Sequence, residues 1–174
     1  SLTSSRELRR MIKFRRLGSP INYRYYFVLT SPKTVMDESE MERLYDLAKR
    51  DPNSLRKELT SLAQRRRSSG RTWFAHFLDR LDSDAVHDLE NEIVYGILIS
   101  LVDAMDDILK FDNSPHFLML TSDQAARIVV EDIFRKLRDS DKELFDRALR
   151  HLSSSDISVN WKIGTFLRAQ MWSN

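Results

Sequence analysis

Three groups of side chains in this 174-residue sequence have the types and spacing to do chemistry. The first is Arg65-Arg66-Arg67, a run of guanidinium groups followed by Ser68-Ser69-Gly70. Arginine forks match the oxygens of phosphates and carboxylates, so the run offers a patch for an anion or a partner. Cations in the last turn of a helix followed by a terminator have the same composition, and a solvated helix end is the simpler reading. The second group is Asp103, Asp106 and Asp107, at i, i+3 and i+4 of a helical pattern. Carboxylates so spaced could hold a metal, but no His or distal Glu repeats the pattern, and a solvated acidic face fits better. The third is the four histidines, His76, His87, His116 and His151. They stand singly and read as structural rather than as ligands or bases. No catalytic residue and no metal site is expected.

Several chemistries are excluded outright. The four glycines, Gly18, Gly70, Gly96 and Gly164, form no phosphate-cradling loop. There is no nucleophile elbow, no H-E-x-x-H and no EF-hand loop. The sequence has no cysteine, which removes disulfides, thiolate metal sites and thiol catalysis. The longest apolar run, Ile93–Met105, is interrupted by Asp103 and too short to span a bilayer, so no transmembrane segment is expected. A cytoplasmic location follows as the natural expectation.

Net charge is +2, but it conceals a gradient. Residues 1–35 carry eight Lys and Arg against Glu7 alone, and residues 71–115 carry three against ten Asp and Glu. A basic arm therefore precedes an acidic middle. Either the two complement one another within the fold, or the arm, including Arg9 and Arg10, meets an acidic partner. A nucleic-acid partner stays open, although the aromatics do not alternate with basic residues as in a dedicated module. A homo-oligomer also stays open.

The elements that would position these groups are helical. Leu8, Met11 and Ile12 stripe a basic helix ending near Gly18-Ser19-Pro20. Asn22–Thr30, rich in Tyr and Phe, reads as one extended aromatic connector. Asp37 or Ser39 caps a helix bearing Met41, Leu44, Tyr45, Leu47 and Ala48. Asp51-Pro52 caps the next, with Leu55, Leu59 and Leu62 inward. Trp73, Phe74, Phe77, Leu78 and Leu81 stripe a third. A single long helix from Ser83 or Asp84 to about Lys110 is apolar nearly all round between Ile93 and Val102, which predicts the central, most buried element. Asp112–Pro115 is a loop and His116–Leu120 a short apolar piece. Thr121-Ser122-Asp123 opens a helix through Leu137, Asp139-Ser140-Asp141 opens another, and Ile157–Trp172 closes the sequence. The expected fold is all-α: an irregular multi-helix bundle or an α-solenoid-like domain of about seven or eight helices. Residues 1–20 form the basic helix and 21–174 the helical domain.

The stretch Ser4–Phe14, reading S-S-R-E-L-R-R-M-I-K-F, resembles the T-P-R-x-(I/L)-K-R-(F/I)-(I/L) helix that follows the core of many P-loop ATPases, particularly the KAP family. Tyr25-Tyr26-Phe27, Val35–Leu47, Leu55–Gln64 and Phe74–Leu81, in that order, resemble the helical region trailing the KAP core, and Trp161–Trp172 resembles part of it. The motifs are of low specificity, and their order carries the likeness. The resemblance implies a C-terminal fragment without its own catalysis. ATP and Mg²⁺ would belong to the parent, the upstream NTPase core would be a partner, and a role in bacterial phage exclusion would follow. Ser5 replaces the family's proline, which leaves Arg6 as the one candidate for a nucleotide-sensing arginine. A stand-alone helical adaptor working through the basic arm is the alternative.

Overall fold

The computed structural model describes residues 36–66, 70–109 and 122–155. Arg6, Arg9, Arg10, Arg67, the basic first helix, the aromatic connector, the 112–120 segment and the closing stretch 157–172 lie outside the described residues. The chain divides at Asp37/Glu38, and every described helix belongs to the second unit.

Among the described residues there are seven α-helices and no strand. They are α1 (Glu38–Arg50), α2 (Pro52–Gln64), α3 (Trp73–Arg80), α4 (Ser83–Asp88), α5 (Asn91–Leu109), α6 (Ser122–Ser140) and α7 (Lys142–Ser154). The starts of four are written in the sequence. The Asp51 carboxylate accepts from the Ser54 N–H (3.3 Å) and hydroxyl (2.6 Å), with Pro52 in the first turn. Thr72 Oγ1 accepts from Ala75 N–H (3.1 Å), Asp82 from Ala85 N–H (2.9 Å) and Asp141 from Leu144 N–H (3.1 Å). Each bond satisfies a donor that the first helical turn leaves without a partner.

Helix α5 is the hub. Val94, Ile97, Leu98, Leu101, Val102, Met105 and Ile108 are all buried, and Leu98 is 0% exposed. The helix packs against α1, α2, α6 and α7. An element touching four others, two of them far upstream, is the centre of a bundle; solenoid repeats contact only their neighbours. On one side lies the α1–α2 hairpin. On the other lie α6 and α7, joined by an edge-to-face Phe134–Phe145 pair with centroids 5.9 Å apart. Helices α3 and α4 pack on α6, and α3 also meets α2.

Three boundaries differ from the sequence expectation. The long helix from Ser83 is two helices, broken at Leu89, whose backbone is extended. Leu89 is buried, and Lys136 on α6 donates to the His87 carbonyl (2.6 Å), so a tertiary contact stops α4 where no breaker residue stands. The next helix is launched by the Glu90 carbonyl, which accepts from Ile93 and Val94 N–H, both at 3.1 Å. Helix α6 continues past Leu137 to Ser140. Helix α2 ends at Gln64, so Arg65 and Arg66 are not in its last turn; Arg65 is an extended C-cap.

Candidate functional site

The α1–α5 crossing is unusually close. A Cβ built on Gly96 would lie 1.9 Å from the Ala48 carbonyl oxygen, so only glycine lets the two backbones meet there. Below this contact Ser100, fully buried, shares its hydroxyl between the Gly96 carbonyl (2.7 Å) and the Pro52 carbonyl (2.9 Å), which ties the start of α2 to α5. The first turn of α7 closes the other side.

These elements frame a cleft of about 440 Å³ lined by Ala48, Lys49, Pro52, Glu92, Tyr95, Gly96, Asp141, Glu143, Leu144 and Arg147. Three helices, α2, α5 and α7, begin at its wall. Their N-terminal dipoles would favour an anion, but the wall supplies its own carboxylates in Glu92, Asp141 and Glu143. Lys49 offsets part of that charge. Its ammonium is 2.8 Å from Glu90 and 3.9 Å from Glu92. The hydrogen bond to Glu90, then the charge of Glu90, raises the Lys49 pKa above the ordinary lysine value. Arg147 lies over the Tyr95 ring, 4.9 Å from its centroid.

No histidine, serine or threonine lines the cleft; its polar side chains are the carboxylates of Glu92, Asp141 and Glu143, the Lys49 ammonium, the Arg147 guanidinium and the Tyr95 hydroxyl. Among the described residues, no group of three His, Asp or Glu side chains is placed to hold a metal. None of the described helices is long and apolar enough to cross a membrane.

The sequence-derived candidates fall elsewhere. Arg65 and Arg66 are exposed in the connection between α2 and α3. Arg66 and Thr72 form an isolated antiparallel bridge, and Arg66 donates to the Gly70 carbonyl (2.9 Å). The aspartates of α5 separate: Asp103 lies 2.8 Å from His151 Nε2 on α7, while Asp106 is exposed. The expected common acidic face is therefore partly a tertiary contact, and His151 has a carboxylate partner rather than standing alone. Part of the acidic middle is paired with cations of the same unit, Asp79 with Arg71 (2.7 Å) and Glu90 with Lys49.

The cleft residues were not legible as a site. Lys49, Tyr95 and Arg147 are far apart in sequence, and the one local signal was a glycine inside an otherwise bulky apolar helix.

Comparison with known proteins gives one match to report. The chain is 26% identical over 162 residues to the phage T7 exclusion protein of Escherichia coli (strain K12). The match covers 91% of this chain but 22% of the relative, so the chain spans about a fifth of the length of the curated protein it matches. No family model matches the chain. No solved structure matches it.

Proposed function

We propose that this chain is a non-catalytic helical regulatory and interaction domain from the C-terminal part of a KAP-like P-loop NTPase that acts in bacterial exclusion of phage. The observation that carries the reading is the match to a phage exclusion protein along nearly the whole chain. That relative is much longer, which is consistent with this chain being one region of a larger machine. The missing phosphate loop supports the same division of labour. Phosphoryl transfer needs a backbone cradle for the β- and γ-phosphates and ligands for Mg²⁺, and the sequence contains no such motif. ATP and Mg²⁺ would then be bound upstream. The described helices contribute a rigid hub and a charge-lined cleft, an architecture for holding a partner in place. A cytoplasmic setting suits this role.

The experiment compares ATP turnover by the purified chain with turnover by the product of its complete reading frame. The proposal predicts none above a heat-inactivated control for the chain, and turnover by the complete product that depends on an upstream G-x-x-x-x-G-K-[ST] lysine. Hydrolysis by the chain alone would overturn the non-catalytic assignment. A reading frame with no phosphate loop would favour the stand-alone adaptor.

A further inference from the structure

Glu143 and Arg147 stand one turn apart on α7, a carboxylate four residues before a cation. That order and spacing favour an ion pair on a helix surface. Yet none joins them. Among the described residues Glu143 has no ion-pair or hydrogen-bond partner, and Arg147 lies over the Tyr95 ring instead. Both side chains are exposed, and both line the cleft between α1, α5 and α7. The other charges of the wall are engaged. Lys49 is held by Glu90 and lies 3.9 Å from Glu92, and the Asp141 carboxylate caps α7. The cleft thus keeps one carboxylate and one guanidinium for a ligand. Stacking covers a face of the guanidinium and leaves its N–H edges, the part that matches a carboxylate.

Beneath these charges the cleft is apolar. Ala48, Gly96 and Leu144 are buried and Pro52 is half-buried, whereas Glu143 and Arg147 are exposed, so the floor is carbon and the free charges are at the rim. A volume of about 440 Å³ falls within the range of small-molecule sites, about 300–1,000 Å³. Opposite charges on one rim suit neither a phosphate, which Glu143 would repel, nor a polyamine, which Arg147 would repel.

We propose that the cleft binds a small zwitterion of the α-amino-acid class with an aliphatic side chain. The ligand carboxylate meets Arg147, its ammonium meets Glu143, and its side chain rests on Ala48, Pro52 and Leu144. The stems of Glu143 and Arg147 leave the helix about 5–6 Å apart and are long enough to take both charged groups between their heads. The inference does not rest on the NTPase reading.

The test is an NMR chemical-shift titration of the purified chain with three ligands. They are L-leucine, isocaproate (leucine without its ammonium) and isoamylamine (leucine without its carboxylate). A ligand of this size is held at about millimolar Kd. An exposed ion pair changes affinity by up to about fivefold, so each analogue should bind about fivefold more weakly than leucine. The shifts should centre on Tyr95, Gly96 and Leu144. Two variants cross the assignment. Arg147→Gln should weaken leucine about fivefold without weakening isoamylamine, and Glu143→Gln should weaken leucine as much without weakening isocaproate. The melting temperature should hold in both, because both side chains are exposed. Either analogue binding as tightly as leucine would reduce the cleft to a site for a single charge and overturn the proposal. So would preferences that survive the variants, shifts centred away from the cleft, or no saturable leucine binding at about ten times the expected Kd.

Discussion

Gly96→Ala offers a test whose sign separates two views of the α1–α5 crossing. On an exposed helix the change should stabilise by about 1 kcal/mol, because alanine is the better helix former. Here the added methyl would sit 1.9 Å from the Ala48 carbonyl oxygen, 2.7 Å from its carbon and 3.2 Å from its Cα. All three are backbone atoms, so no rotamer change relieves the overlap; α1 must retreat by more than 1 Å. Overpacking a core costs about 1–3 kcal/mol, and a backbone displacement belongs at or above the top of that range. After subtracting the propensity gain, the expected loss is about 2 kcal/mol. For a domain of this size that is a fall in Tm of about 4–8 °C. Urea unfolding followed by circular dichroism should show a lower midpoint with an unchanged slope. A midpoint that holds or rises would mean that the two backbones do not meet at Gly96, and the cleft beside that contact would lose its frame.

Leu98→Ala removes a fully buried side chain from the hub helix and should cost about 2–5 kcal/mol; a loss below about 1 kcal/mol in the same urea assay would make α5 peripheral. The Asp51 pKa is lowered from the usual 3.8, first by the Ser54 hydroxyl and then by the Ser54 N–H. Its contribution is therefore present above pH 3.8 and lost as pH falls through the lower folded value. The stability difference between wild type and Asp51→Ala should shrink between pH 4 and pH 2, and a difference constant across that range would contradict the cap. Arg43 bridges Glu40 (2.8 Å) and Glu58 (3.3 Å), but all three side chains are at least a third exposed, so Arg43→Gln should change stability by less than about 1 kcal/mol; a larger loss in thermal denaturation would refute that ranking.

Elements whose causes are local were readable in advance. Asp51-Pro52 and Asp141 are caps by residue type and spacing, and the apolar stripes of α1, α2 and α5 give the buried faces directly. Features with non-local causes were not. Val86 and Leu89 continue the apolar period toward Ile93, and only Lys136, 49 residues after His87, reveals why the helix stops. The pairing of His151 with Asp103 spans 48 residues. Arg65 and Arg66 look like a helix end because cations are common there, but the Thr72 bridge draws them into extended backbone. The cleft is the extreme case. Its groups come from α1, α2, α5 and α7, and Gly96 signals a close approach without naming the partner.

The central claim is that this helical region serves phage exclusion without doing the chemistry itself. It is tested most directly by the efficiency of plating of a T7-like phage on cells expressing the complete reading frame, with and without residues 38–155. The account predicts that the deletion restores plating to the level of cells lacking the gene, while the purified, folded deletion product still turns over ATP. Exclusion that survives the deletion, or ATP turnover that vanishes from a folded deletion product, would contradict it.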